Sequence, residues 1–341
     1  MKNKNLPKNT LIIMATVLLV CLASFTTNAQ VLGKNEIKGC FEKEFTVNYN
    51  NLILVDDEPG YDNENNNPPE DYTSIQEAID ASSNNDLIFV FEGTYSENII
   101  INNKIFLIGE NKEKTIIEGD GTGDVVQIVE DYVVLTGFTI KNSGDWDPDN
   151  HQAGIEITSN YNIIKGNKIC DNKGNGVFIN SSSYNNIVRN IISNNHHGVL
   201  FEYATNNTVS NNQIINNEFA TCLYYSNDNT VIINDFSNNN YAICINNATL
   251  NNISSNIISN NEYGIYLYYS SGNTISGNNF IDNKKRNALF RGYCKNNWDG
   301  NYWNRPRLLP KPIFGRMGKL GLICWVDFDL KPARGLYTIQ P

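Results

Sequence analysis

Residues 207–223 read NTVSNNQIINNEFATCL, and this pattern of asparagines and apolar residues returns every 22 or 23 residues along the chain. Each copy opens with Asn, a free position, an apolar residue, two free positions and a second Asn. Self-similarity at a fixed period predicts a solenoid, in which each repeat stacks on the next. The opening asparagines are Asn162, Asn185, Asn207, Asn229, Asn251 and Asn273.

The spacing inside each copy indicates β-strands. Apolar residues lie two apart, as at Ile243 and Ile245, which is typical of strands with one buried face. Three short strands and their polar turns fill a repeat and leave no room for a helix. Because left-handed β-helices are built on six-residue repeats, and 22 is not a multiple of six, we predict an all-β, single-stranded right-handed parallel β-helix of about nine or ten coils. Asn suits its corners because it tolerates left-handed backbone and its stacked amides can hydrogen-bond.

The N-terminus resembles a secretory signal. Three lysines precede an apolar run at 11–25, and Thr27-Asn28-Ala29 forms a plausible cleavage site. We therefore expect residues 1–29 to be removed, leaving a protein without a transmembrane span that is secreted, on the cell surface or periplasmic.

The mature chain divides into three parts. Residues 30–86 are predicted to form a leader strand and a capping helix, because Ser74 and Glu77 have the spacing of a capping box. Residues 87–303 are the predicted β-helix. Residues 304–341 form a Pro-rich tail with seven Lys or Arg against two Asp, and we expect this tail to pack on the solenoid.

The net charge restricts the possible partners, and the cysteine positions bear on disulfide bonds. The formal net charge of −10 disfavours nucleic acid, which would be repelled. Cys222 and Cys244 occupy equivalent positions one repeat apart, so we expect two neighbouring free thiols. A disulfide between Cys294 and Cys324 stays open. We expect a monomer.

The repeat is interrupted by KNSGDWDPDNHQA at 141–153. Insertions in a solenoid emerge as loops on one face and commonly carry function. Asp145, Asp147 and Asp149 are weak candidate ligands for Ca²⁺, which is the cofactor to consider if there is one. Trp146 could stack on a sugar ring. The alternative is an ordinary solvated turn.

A second candidate surface lies on the coils themselves. An outward-facing row consists of Phe178, Leu200, Cys222, Cys244 and Tyr266. Because this row is apolar, it has to be covered by other residues or serve as a binding surface. Its aromatic end, with Tyr224, Tyr266 and Tyr268, could bind sugars, and cover by the C-terminal tail is the alternative.

The phrases DYTSIQEAID (71–80) and FEGTYSENIIINNKIFLIG (91–109), together with the Asn repeats, resemble the NosD-type family of periplasmic copper-binding proteins. This family belongs to a wider group of carbohydrate-binding proteins and sugar hydrolases with a pectate-lyase-like fold. The resemblance runs from about Leu52 to Trp303 and implies the fold more strongly than any activity.

The residue types present bear on copper binding and on catalysis. Copper sites use His, Cys and Met, but the mature chain has only His151, His196 and His197, one Met (Met317) and no His or Met cluster in sequence. Copper binding is therefore disfavoured. Polysaccharide cleavage needs neighbouring carboxylates, and the repeats offer no Asp-Asp pair. Asp145, Asp147 and His197 are weak catalytic candidates. The favoured alternative for His196 and His197 is that they are turn residues without a catalytic role.

These patterns predict an exported, non-catalytic carbohydrate-binding or structural module whose partner is a polysaccharide or glycoconjugate surface. A polysaccharide hydrolase or lyase is the alternative.

Overall fold

The computed structural model of the protein describes residues 49–57, 72–147, 150–317 and 323–340, without the side chains of Asn150 and Ile323. The predicted signal peptide, most of the predicted leader, Cys40 and Asp149 lie outside these residues.

The described chain winds as a parallel β-solenoid with three faces, named here in the order in which each coil crosses them. The first face contains Leu52–Val55, Leu87–Val90, Phe106–Gly109, Val134–Thr136, Ile163–Lys165, Asn186–Val188, Thr208–Ser210, Thr230–Ile232, Asn252–Ser254, Thr274–Ser276, Asn297–Asp299 and Ile323–Asp329. The second face contains Gly93–Tyr95, Thr115–Glu118, Thr139–Lys141, Lys168–Cys170, Ile191–Ser193, Gln213–Ile215, Asp235–Ser237, Ile257–Ser259, Asn279–Ile281 and Tyr302–Trp303. The third face contains Ile99–Ile101, Val126–Ile128, Ala153–Ile157, Asn175–Asn180, His197–Glu202, Phe219–Tyr224, Tyr241–Asn246, Tyr263–Tyr268, Arg286–Arg291 and Lys311–Met317.

Each strand pairs in parallel with its equivalent in the next coil, and the register follows the sequence repeat. Val209 pairs with Val231 on the first face, and Ile214 pairs with Phe236 on the second. All four side chains are fully buried in the solenoid interior. The ten strands of the second face give ten coils. The predicted parallel β-helix is confirmed.

Buried asparagines form hydrogen-bonded columns at three corners, which we call the Asn ladder. In a typical member, Asn212, the side-chain amide Nδ2 donates to the Ile187 carbonyl in the preceding coil at 2.8 Å. Its backbone N–H donates to Asn234 Oδ1 in the following coil at 2.9 Å. The ladder therefore satisfies corner backbone groups that would otherwise be buried without partners.

The left-handed backbone that we predicted for the corner asparagines occurs one residue earlier in the chain. The ladder asparagines have ordinary φ, and the left-handed residue is the one before each of them. That preceding position accepts other residue types, such as Tyr184, Ile233 and Leu250, which have φ of 61°, 57° and 60°. Asn recurs in the ladder for its paired donor and acceptor, and not for backbone tolerance.

The described residues contain one helix, α1 (Ile75–Ala81), which packs near the first coils. The Ser74 side chain accepts a hydrogen bond from the Glu77 N–H, as in an N-cap. Glu97 accepts from the N–H groups of Ile75 and Gln76, which are also unpaired at a helix start. Ile75, Ala78 and Ile79 are buried in the main core.

The C-terminal tail adds a final antiparallel hairpin, Lys311–Met317 with Ile323–Asp329. Its strands pair with the last coil, at Phe290–Gly315 and Trp298–Asp329. Asp329 is fully buried, and its Oδ2 accepts from the Asn301 N–H at 3.0 Å and from Trp303 Nε1 at 2.9 Å. A carboxylate thus ends this ladder column, where no further coil needs a donor.

Candidate functional site

The interruption at 141–153 folds back onto the third face. Trp146–Asp147 pairs antiparallel with Asn150–His151, and the next strand begins at Ala153. This Trp146 hairpin places the indole 4.4 Å from the His196 ring in a stacked contact. The His151 ring lies parallel to the indole at 6.3 Å.

All three histidines of the chain meet at this hairpin, although His151 is 45 residues from the adjacent pair His196 and His197. His196 and His197 have their Nδ1 atoms 3.0 Å apart, and Trp146 lies 5.9 Å from the His197 ring. The sequence alone does not show that His151 lies near the other two. The solenoid stacks equivalent positions about 22 residues apart, and the hairpin then carries His151 onto the coil that holds His196.

His197 is the most buried of the three, at 3% exposure. Its Nδ1 lies 2.9 Å from Asn175 Oδ1, which can only accept, so we assign the proton to Nδ1. Burial, with repulsion from His196 and His151, lowers the pKa of His197 to about 3. The ring is therefore neutral at physiological pH, and it stacks on Phe219 at 5.0 Å.

The other two histidines face carboxylates. His151 Nδ1 lies 3.1 Å from Glu202 Oε2, and His196 Nε2 lies 3.3 Å from Glu218 Oε2. Burial lowers the pKa of His196, and the charge of Glu218 opposes that shift. The polar edge around Trp146 thus alternates imidazole and carboxylate.

The candidate calcium ligands do not gather. Asp145 is exposed and lies 3.7 Å from Lys173 Nζ, Asp147 is also exposed, and Asp149 lies outside the described residues. Within the described ranges no group of three His, Cys, Asp or Glu side chains could hold a metal ion. Calcium binding stays a prediction.

A row of stacked rings leads away from the histidines along the third face. His197, Phe219, Tyr241 and Tyr263 are equivalent residues in successive coils. Phe219 and Tyr241 stack at 5.1 Å, and Tyr241 and Tyr263 at 4.7 Å. The three aromatic rings after His197 are partly exposed, so the row borders the surface.

The outward apolar row that begins at Phe178 is covered by other side chains of the third face. Phe178, Leu200, Cys222 and Cys244 are at most 5% exposed and form a separate apolar cluster. Side chains of the flanking rows, namely Phe219, Tyr224 and Tyr241, pack against it, and so does Tyr266, the next residue of the same row. His151 covers Phe178 at one end, with ring centroids 5.3 Å apart. The tail instead pairs with the last coil.

The three candidate tyrosines lie on the same face as the Trp146 hairpin. Tyr224, Tyr266 and Tyr268 are partly exposed, and Tyr266 approaches Tyr241 at 6.1 Å. His197 and Tyr263, the equivalent rings at the two ends of the row, are three coils apart, or about 14 Å at the usual strand spacing. The structure therefore joins the two candidate surfaces into one elongated face.

A pair of carboxyl groups lies beside this face and could not be recognised from the sequence. Glu156 is the outward residue next to Phe178, and its carboxyl shares a hydrogen bond with Asp124. Burial, then the Asp124 charge, raises the pKa of Glu156 to about 7. The only signal in sequence is a charged residue in the register position that is apolar in later coils, because the two acids are 32 residues apart.

Residues 33–308 match the family described as periplasmic copper-binding protein (NosD). The chain belongs to the NosD family. The NosD name implies copper. One ring nitrogen of each histidine contacts Asn175, Glu202 or Glu218, which leaves the other nitrogen as a possible ligand. Within the described residues, however, no group of three His, Cys, Asp or Glu side chains could hold a metal ion, so these side chains do not supply a copper centre of three such ligands.

Solved structures agree with the NosD assignment in fold. The complex of XylC with xylose has a TM-score of 0.60 at 11% identity, covering 84% of this chain and 76% of XylC. Pectate lyase Pel9A has a TM-score of 0.49 at 14% identity, covering 73% and 77%. The A-module of mannuronan C-5 epimerase AlgE4 from Azotobacter vinelandii has a TM-score of 0.47 at 14% identity, covering 67% and 82%. No curated protein matches the chain.

Identities this low show the fold alone. The described part of the chain contains no helix long and apolar enough to span a membrane.

Proposed function

We propose that the protein is exported and binds a carbohydrate on the third face, between the Trp146 hairpin and Tyr266. One observation carries this proposal. The hairpin holds a partly exposed Trp146 at one end of a row of partly exposed Phe and Tyr rings.

The chemistry of this face suits a sugar. Trp and Tyr offer an apolar body with a polar tip, which matches the CH and OH groups of a pyranose ring. Carboxylates of Glu202 and Glu218 lie beside the rings and can accept hydrogen bonds from hydroxyls. Trp146 Nε1 is buried and has no partner among the described residues, so an acceptor that reaches it would gain a hydrogen bond. An elongated binding face is common in solenoid proteins.

The fold relatives support the proposal without establishing it. XylC was solved with xylose, and pectate lyase Pel9A is named for a polysaccharide substrate. The NosD family is described as periplasmic, which agrees with the predicted signal peptide.

A glycan panel tests the binding. We expect the full mature chain to be retained on at least one polysaccharide, and Trp146→Ala and Tyr266→Ala to lose that retention. Tyr132→Ala is the control, because Tyr132 is aromatic and even more exposed than Trp146 and Tyr266 but stacks on Tyr161 at a turn away from the third face. Equal retention of all four proteins would reject the third face as the binding site.

Polysaccharide cleavage is the second candidate, and the Glu156–Asp124 pair favours it. A carboxyl with a pKa of about 7, as at Glu156, can be protonated at neutral pH, as a general acid requires. Release of reducing ends by the wild type, lost in Glu156→Gln and kept in Glu218→Gln, would establish cleavage. Retention of a glycan without release of any product would leave binding as the function.

A further inference from the structure

A small cavity lies between the last coil and the C-terminal hairpin, at the C-terminal end of the solenoid. Its volume is about 290 Å³. Lys285, Arg286 and Lys311 line it, together with the side chains of Asn283, Asn287 and Asn304. Arg286, Asn304 and Phe314 are exposed, so the cavity opens to solvent. We call it the basic pocket.

The basic pocket concentrates positive charge on a chain of net charge −10. No Asp or Glu is among its lining residues. Lys285 pairs with Glu262, but within the described ranges neither Arg286 nor Lys311 has a carboxylate within 4 Å. Partial burial lowers the pKa of Lys311, and the charges of Arg307, Arg286 and Arg305 lower it further. Like charges have thus been brought together without neutralisation, and an anion in the pocket would remove that repulsion.

The buried carboxylate beside the pocket, Asp329, already accepts hydrogen bonds from other residues. Asp329 is the cross-strand partner of Lys311 in the hairpin. Its oxygens accept from Asn301, from Trp303 Nε1 and from the Lys331 N–H. Arg307 Nε is also buried without a hydrogen-bond partner among the described residues.

Lys311 is held in place before any ligand arrives. Lys311 Nζ lies over the Trp303 ring, 5.7 Å from its centroid. Trp303 is fixed in turn by stacking on Phe280 at 4.4 Å and by its hydrogen bond to Asp329. Preorganised cations reduce the entropic cost of binding. The Asn283 amide is engaged in the Asn ladder, and the amide oxygens of Asn287 and Asn304 accept hydrogen bonds, which leaves the Nδ2 groups of Asn287 and Asn304 as donors for a ligand hydroxyl.

We propose that the basic pocket binds an oxyanion carried by a sugar-sized molecule, with Lys311 and Arg286 holding the anionic group. The cavity volume is enough for about one small ring and is below the usual range of pockets for larger ligands. A carboxylate, as in a uronic acid, and a phosphate ester share this chemistry. The basic pocket adjoins the C-terminal end of the third-face row, because Arg286 pairs with Tyr263 and Lys285 Nζ lies 5.2 Å from the Tyr263 ring centroid. Neither Trp146 nor Tyr266 lines the pocket, so loss of glycan retention in their variants and loss of anion binding in Arg286→Gln or Lys311→Gln are distinguishable.

Calorimetric titration of the full mature chain at low salt tests the proposal, with glucuronate, glucose 6-phosphate, inorganic phosphate and neutral glucose as probes. We expect at least one anionic probe to bind and glucose not to bind. Arg286→Gln and Lys311→Gln should each weaken binding by about tenfold, the effect of losing one charge-assisted contact. Lys284→Gln is the matched control, because Lys284 is exposed next to the pocket without lining it.

The outcomes separate the ligand sources. Tighter binding of glucuronate identifies a carboxylated sugar, and tighter binding of glucose 6-phosphate identifies a phosphorylated one. Equal binding of inorganic phosphate and glucose 6-phosphate identifies the oxyanion alone as the recognised group. Binding of glucose as strong as that of the anions, no binding of any anion, or an unchanged affinity in both Arg286→Gln and Lys311→Gln would overturn the proposal. Arg286 is exposed, so its variant is expected to fold, and the unfolding temperature checks this.

Discussion

Replacing Asn234 by alanine removes one member of the Asn ladder and should destabilise the solenoid strongly. The Asn234 side chain is fully buried. Its Nδ2 donates to the Val209 carbonyl at 2.9 Å, and its Oδ1 accepts from the Asn212 N–H at 2.9 Å. Alanine leaves both of these backbone groups buried without those partners. At about 1–3 kcal/mol for each buried unpaired group, the expected loss is about 2–6 kcal/mol in the free energy of unfolding.

Urea denaturation followed by circular dichroism measures this loss, and amide exchange of the Asn212 N–H reports it locally. The matched control is Asn216→Gly. Asn216 is exposed and has φ of 58°, a conformation that glycine adopts without strain, so the control should change stability by less than about 0.5 kcal/mol. If Asn234→Ala costs less than about 1 kcal/mol, the ladder hydrogen bonds do not hold the coils together as argued.

Three further measurements test other parts of the structure. Leu250 is 62% exposed with φ of 60°, so Leu250→Asn should raise stability by about 1 kcal/mol through relief of left-handed strain, and a lower unfolding temperature would contradict this. Because the pKa of Glu156 is raised to about 7 in the folded state, its contribution to stability is complete below its ordinary value and is lost as the pH rises through 7. The unfolding temperature of wild type minus that of Glu156→Gln should therefore fall between pH 4.5 and 7, and a flat difference would reject the buried carboxyl pair. Among the described cysteines only Cys324 is exposed, and burial raises the pKa values of Cys170, Cys222 and Cys294. Peptide mapping after brief alkylation of the native protein should find Cys324 labelled and Cys222 unlabelled, and the reverse result would contradict the assigned burial.

The candidate site was only partly predictable. The interruption at 141–153 identified Trp146, and the repeat identified Tyr224, Tyr266 and Tyr268, because both signals are local or periodic. The contacts of Trp146 with His196 and of Glu156 with Asp124 were not predictable. They depend on how far the hairpin folds back and on which turns bring distant residues to the same height, and neither is encoded in a short motif.

The ladder shows the same division at the level of a single residue type. The period of Asn and apolar positions was enough to predict a parallel β-helix, because stacking copies of one short repeat leaves few other ways to bury its apolar face. The same period could not show that the left-handed residue precedes each ladder Asn. Only the hydrogen bonds between coils make that distinction.

The sequence by itself determined the fold, the register of the strands and the separate character of the tail, since these follow from the period of apolar residues and from local composition. The tertiary structure alone decided what lies together on the surface: three histidines at one tryptophan, a carboxyl pair beside them, and a basic pocket under the terminal hairpin. The physical reason is that a repeat specifies contacts between equivalent positions. The hairpin and the tail are outside the repeat, and their positions depend on burial and charge that become defined only when the coils have stacked.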